Sequence, residues 1–395
     1  MTFAVNLIGR FLKKENVDKI KLAIAVPTYN RLDKLKVLLS SIDNQLLCRN
    51  LELSLFISNI ASNDGTSEFL EKEVEKRSNL IIYNKPQDQT LKPNIFYLNK
   101  IISSDIEWVW FMGDDDKLSE KDSLKKVYKC LKSNIASNLE FICVCEKKRS
   151  RNTSKVFIDK VLNLCNKFGY HEMLGWISGI ILKKQTFQKV FDDFAQSIKT
   201  QYQNVDDSIT SAYPHSASIL KYTHNKNGMF YDIGLVEPQD KLQTIETQKR
   251  WADENMVWRY FHVIDDIENL ININILKPKS LSLSFFRYHT YYLWDHLIFL
   301  TFKRLPKYVH SGSDIKDVNN YISILSNNLC RLLKTENFLK DIKDRKDLAL
   351  KITMCINYLQ IYVSNNFSEE IRANLFDNLT NLIQIPNFPF QINLN

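Results

Sequence analysis

Three consecutive carboxylates, Asp114, Asp115 and Asp116, stand behind an apolar run that ends at Met112, with Gly113 between. Like charges crowded at the end of a strand repel one another unless something positive binds them. A hard divalent cation, Mn2+ or Mg2+, answers that need, because it prefers oxygen ligands and usually takes one or two from the protein. Water and substrate phosphates complete its coordination, so an ion held here would clamp a diphosphate leaving group. The same triplet also reads as a solvated acidic turn, or as a helix N-terminus where negative charge meets the dipole. Of the seven histidines, His171 and His215 lie in the half expected to bind acceptor, but none pairs with another at metal-ligand spacing on a helix, and most read as structural. A hydrolase triad would need a GxSxG elbow and phosphoryl transfer from ATP a P-loop, and the chain has neither.

The elements that must position the triplet follow from periodicity. Leu22 to Val26 reads as a strand, Pro27 to Arg31 as a loop, and Leu35, Leu38, Leu39, Ile42 and Leu46 as one face of a helix. Leu51 to Ile57 is a second strand, closed by the polar cluster Ser58 to Thr66, which suits a loop opening a helix. The unit repeats with a strand at 80–83, a helix at 90–103 and a strand at 107–112. A helix at 120–133 and strands at 139–145 and 180–183 come next, after which the pattern reads as helical. Alternation of this kind predicts an α/β fold with a mostly parallel sheet flanked by helices. In such sheets ligands bind beyond the carboxyl ends of the strands, so the loops 27–31, 58–65 and 113–116 should converge.

The 395 residues exceed one ordinary core, and 44% hydrophobic with 25% charged residues is the balance of a globular protein. The alternation stops around Val236-Glu237-Pro238-Gln239. The expected organisation is an amphipathic N-terminal segment at 1–19, a catalytic α/β domain at 20–240 and a helical domain at 241–395. Seven cysteines without a CxxC pair argue against a disulfide framework and a zinc ribbon, and fit a reducing cytoplasm. No stretch reaches the roughly 18 to 20 apolar residues of a membrane span, and the N-terminus lacks a signal peptide's apolar centre. The net charge of +8 suits nucleic acid, anionic lipid or phosphorylated substrates alike. Zinc-finger spacing, RNP-type aromatics and long basic blocks are all missing, so no nucleic acid partner is expected.

Taken together, four segments resemble glycosyltransferase family 2 and its GT-A fold. Ala25 to Arg31 is similar to the family's opening nucleotide-binding loop, and Ala61-Ser62-Asn63-Asp64-Gly65-Thr66 to the end of its second. Phe111 to Asp116 resembles its DxD-type metal motif. Gly175 to Gly179, followed by Val205-Asp206-Asp207-Ser208, resembles its acceptor loop and the acidic pair holding the catalytic base. Within the family, the abequosyltransferase type that acts on bacterial surface polysaccharides is the most similar subset. The resemblance implies an inverting transfer of a sugar from a nucleotide-diphosphate donor to a glycan or lipid-linked glycan. It implies Mn2+ or Mg2+ on Asp115 and Asp116, and Asp207, or alternatively Asp206, as base. Pro27, Thr28 and Tyr29 would cradle the nucleoside, Arg31 would meet a phosphate, and Asp64 and Asp114 would face base or ribose. Where the family usually has Asp-Asn, this chain has Asn59-Ile60. An amide both donates and accepts, so Asn59 raises the expectation of a cytidine-linked donor.

Beyond the catalytic part, aromatic and basic residues mix between Phe285 and Lys307. A second such stretch joins Phe3, Leu7, Ile8, Phe11 and Leu12 to Arg10, Lys13 and Lys14. Either a buried helix or peripheral contact with the cytoplasmic face of the inner membrane fits such a composition.

Overall fold

The computed structural model describes residues 19–46, 48–60, 62–85, 94–133, 138–147, 150, 155–201, 214–239 and short stretches between 266 and 285. The described residues divide into two compact units that interleave in sequence. One takes 19–161, 176–201 and 222–239, and the other takes 162–175, 214–221 and 266–285.

The first unit is built on a sheet of nine strands. Strands β1 (Ile20–Thr28), β2 (Leu51–Ile60), β3 (Leu80–Lys85) and β4 (Trp108–Phe111) run parallel in the order β3-β2-β1-β4. Beyond β4 the sheet becomes mixed. Strand β8 (Ile180–Lys183) is antiparallel to β4 and to β6 (Phe141–Glu146), and β6 is parallel to β9 (Asn227–Pro238). Strands β5 (Asp116–Leu118) and β7 (Val156–Lys160) both pair antiparallel with β9.

Helices cover the sheet because each carries one apolar stripe. Helix α1 (Leu32–Asp43) buries Leu35, Leu38, Leu39 and Ile42, the residues its periodicity selects. Leu46, expected on the same face, lies past the helix end and is exposed. Helix α2 (Thr66–Lys76) follows β2, α3 (Ile95–Ile101) precedes β4, and α4 (Ser123–Lys132) follows β5. Of the helix expected at 90–103, α3 covers Ile95–Ile101, and residues 90–93 lie outside the described residues. The core joins Leu22, Ile24 and Val26 of β1 to Leu55 and Ile57 of β2, Trp110 of β4 and Ile181 of β8. Both faces of β1 are shut, which is why it reads as a continuous apolar run.

Three expectations change at the acidic turn and beyond it. The triplet is not a helix N-terminus: Asp116 opens β5, and α4 starts only at Ser123. The region after Lys183 is not purely helical. Helix α7 (Lys184–Gln201) gives way to β9, twelve residues long and the partner of three strands. Strand β7 is likewise additional to the strands expected.

The second unit contains most of α5 (Val161–Phe168), α6 (Tyr170–Leu174) and most of α8 (Pro214–Thr223). Tyr170 packs its ring 5.2 Å from that of Phe285, and Asn166 accepts from the Ser282 amide and donates to the Ser280 carbonyl. His171 and His215 are both buried here. The segment 1–18 and nearly all of 241–395 lie outside the described residues, as do Asp206 and Asp207.

Candidate active site

The three expected loops meet at the carboxyl ends of β1, β2 and β4. Parallel register brings Thr28 beside Asn59, and Ala25 beside Phe111, so the segments that follow leave the sheet at one edge. Asn30 turns the chain there with φ of 50°, a left-handed conformation that asparagine tolerates better than most side chains. Its amide donates to Ser62 Oγ at 2.8 Å, and its Oδ1 accepts from the Asn63 amide at 2.8 Å. Asn94, at the start of α3, donates to the Thr28 carbonyl at 2.6 Å and accepts from Ser58 Oγ at 3.2 Å.

Asp64 ties two helices together. Its Oδ2 accepts from the Leu32 amide at 2.9 Å, capping α1, and its Oδ1 accepts from the Thr66 amide and hydroxyl, capping α2. What desolvation there is works against its charge, but the bonds from Thr66 and Leu32 prevail and hold the carboxyl below its ordinary pKa. Gly65 beside it has φ of 89°, so a side chain at that position would be strained.

At the acidic turn two carboxylates converge on one cationic atom. Arg31 Nη1 lies 2.8 Å from Asp114 Oδ1 and 2.8 Å from Asp115 Oδ2. Thr28 Oγ1 donates to the other Asp114 oxygen at 2.7 Å. Burial raises the Asp114 pKa, with Arg31 opposing it. Burial also works against the charge of Arg31, yet the two carboxylates outweigh it and lift the guanidinium above its ordinary value. Asp114 is buried while the Asp115 side chain is 44% exposed, so the pair presents its charge from protein interior to solvent.

Asp116 does not join them. Its carboxylate accepts from Ser178 Oγ and from the Trp176 side chain, inside the fold. Burial and the nearby Asp115 push its pKa up to about 7 despite those two donors. Ser178 in turn accepts from the Gly113 amide at 2.8 Å, and its carbonyl accepts from Trp110 Nε1 at 2.9 Å. The Trp176 to Gly179 segment therefore braces the turn from within.

Asn59 is also turned inward. It is fully buried, its amide nitrogen donates to Ser67 Oγ and Asn84 Oδ1, and its Oδ1 accepts from Ser62 Oγ. With both ends of the amide engaged, the reason for expecting a cytidine-linked donor from this residue is gone. Tyr29, by contrast, is 48% exposed beside the turn, an aromatic ring open to a ligand.

The arrangement fits a divalent cation. Two carboxylate oxygens already point at one centre of positive charge, the Arg31 nitrogen. Among the described residues no three of His, Cys, Asp and Glu gather as a cage. An ion held here would take at most the two carboxylates of Asp114 and Asp115 from the protein and complete its coordination with water and phosphate.

The sheet and its helices form a GT-A fold, and residues 23–176 match the family model Glycosyl transferase family 2. The chain is 26% identical over 198 residues to the abequosyltransferase RfbV of Salmonella typhimurium, a match covering 47% of this chain and 59% of that relative. The matched region thus spans less than two thirds of that relative's length. The crystal structure of TarS 1–349 of S. aureus superposes with a TM-score of 0.51 at 14% identity, covering 92% of this chain and 90% of that one. The same TarS region in complex with UDP gives a TM-score of 0.53 at 14% identity, over 94% and 95% of the two chains. At these identities the likeness to TarS is one of fold.

Gln239 escaped the sequence reading as a site residue. Its side-chain amide nitrogen lies 3.1 Å from the Asp114 carbonyl and 2.9 Å from that of Asp116, and its own amide donates to the Asp115 carbonyl at 3.0 Å. The only trace in the sequence is that alternation ends at this point.

Proposed function

We propose that this chain is a metal-dependent, inverting glycosyltransferase that moves a hexosyl or deoxyhexosyl group from a nucleoside diphosphate to a hydroxyl of a bacterial surface glycan. The acceptor class is capsule, lipopolysaccharide or a lipid-linked oligosaccharide. The observation that carries this reading is the convergence of Asp114 and Asp115 on a single point beside Thr28, at the sheet edge where α/β folds bind ligands.

Asp115, with Asp114, would hold Mn2+ or Mg2+, which when bound neutralises charge on the departing diphosphate. Asp116, expected in the metal set, is instead assigned to bracing the turn through Ser178. Thr28 orients Asp114 by donating to it. Arg31 balances the charge of the pair and, with a cation on the carboxylates, would be available to a phosphate oxygen. Pro27 to Tyr29 receive the nucleoside, with the exposed Tyr29 ring against the base, while Asp64 and Asn59 hold the two loops in register. Asp207, or Asp206, as the base that takes the acceptor proton belongs to this proposal and lies outside the described residues.

UDP is the donor nucleotide favoured here, since TarS 1–349 has been crystallised with UDP and with UDP-GlcNAc. The divisions at 1–19, 20–240 and 241–395, a cytoplasmic location and peripheral membrane contact are part of the same proposal. Among the described residues no helix is long and apolar enough to cross a membrane.

The test incubates the purified chain and Mn2+ with UDP-, CDP-, GDP- and dTDP-sugars and follows nucleoside diphosphate release, with and without acceptor glycans. One donor should turn over, and Asp115→Asn should lower that rate about 100-fold while leaving the melting temperature in place. Wild-type turnover in Asp115→Asn would overturn the reading. Absence of turnover with every donor, alongside tight nucleotide binding, would favour a non-catalytic binding relative.

A further inference from the structure

We infer that Gln239 is a positioning residue for the acidic turn, and that its amide sets the affinity of Asp114 and Asp115 for a divalent cation. The inference rests on the proposed function and adds a residue to it. Gln239 follows the last residue of β9, and Pro238 stands opposite Asp116 in the β5–β9 register. That pairing delivers the side chain to the back of the turn. There its Nε2 lies within hydrogen-bond distance of three carbonyl oxygens, those of Lys34 (2.9 Å), Asp114 (3.1 Å) and Asp116 (2.9 Å). Its main-chain N–H donates to the fourth, on Asp115, at 3.0 Å.

The three carbonyls around Nε2 call for a group that donates without carrying a repelling lone pair toward them, and a primary amide nitrogen, with two N–H bonds to share among them, meets that demand. The consequence is geometric. With the carbonyls of 114, 115 and 116 all directed to Gln239, the backbone of the turn is fixed. Asp114 and Asp115 then face Arg31 while Asp116 faces Ser178. The Lys34 bond adds the first turn of α1 to the same clamp, so one side chain holds both that helix and the acidic turn. Groups that orient metal ligands from behind typically change affinity about 10- to 100-fold when lost.

Mn2+ binding, read by electron paramagnetic resonance of the free ion, tests this on wild type, Asp115→Asn, Gln239→Ala and the isosteric Gln239→Glu. Asp115→Asn should abolish the site, and Gln239→Ala should weaken it about 10-fold. Gln239→Glu should weaken it at pH 8, where a carboxylate would face carbonyl oxygens. Relative to wild type at each pH, that variant should recover as the pH falls and the acid becomes a donor. Melting temperature and Mn2+ affinity read on the same samples separate the roles: a residue that only stabilised the fold would lower the first and leave the affinity of the folded protein at the wild-type value. Wild-type affinity in both Gln239 variants overturns the inference and leaves the proposed function standing. A wild-type protein with no Asp115-dependent Mn2+ site overturns both.

Discussion

Arg31 places a positive charge where the proposed cation would act, and its distances to Asp114 and Asp115 are equal at 2.8 Å. Removing it leaves Asp114, buried and already raised in pKa, facing only Thr28 and Asp115. In Arg31→Gln the unpaired buried carboxylate should cost about 1–3 kcal/mol, measured by urea unfolding. Mn2+ should restore most of that stability, because a ligand that binds only the folded state adds to it. A loss that Mn2+ leaves untouched would show that arginine and cation do not share a role. At this scale the sequence pointed to Asp114, Asp115 and Thr28, which the fold brings together with Arg31. It was silent on direction. Asn59 and Asp116 were visible as polar residues near the site, but only the packing reveals that both point inward to Ser62, Ser67, Ser178 and Trp176. Gln239 acts on backbone carbonyls more than 120 residues away in sequence, and such a role leaves no mark in residue type or spacing.

Strands of the first half were legible because buried parallel strands are apolar runs and their helices carry a clear 3.6-residue stripe. Strand β9 defeats that rule. It mixes Gly228, Asp232 and Gly234 into an otherwise apolar sequence and pairs with three partners, so no alternation survives. Gly234 marks the irregularity: it lies opposite Cys145, where the β6–β9 register shifts. A Cβ built there would meet the Lys147 Cα at 2.5 Å, a backbone atom with little freedom to yield. Such a bulge re-aims a strand, and here the strand beyond it leads into Gln239. Gly234→Ala should therefore destabilise the protein by about 1–3 kcal/mol in urea. The Mn2+ affinity of the folded fraction should also fall, since the strand that delivers Gln239 is displaced. Unchanged stability would mean that the β6–β9 bulge relaxes freely and positions nothing.

The second unit buries two histidines, His171 and His215, and the second of them carries a charge penalty that acts on the whole unit. Burial pulls its pKa down to about 4, against bonds to the Leu174 and Gly175 carbonyls that favour the charged ring. In the unfolded chain the group titrates near 6.5. Between those values the unfolded state binds a proton that the folded state refuses, so stability is complete above about pH 6.5 and drains away as the pH falls toward 4. The shift corresponds to at most about 3 kcal/mol. Because the histidine sits between the Leu174–Gly175 turn and α8, this loss belongs to the unit holding 162–175 and 214–221. Hydrogen exchange with peptide resolution at pH-corrected times should therefore show those segments losing protection on acidification before the strands β1, β2 and β4 do. His215→Gln, which has no charge to gain, should flatten that dependence even if it lowers stability at pH 7. An unaltered acid response in that variant would mean the proton is taken up elsewhere in the unit.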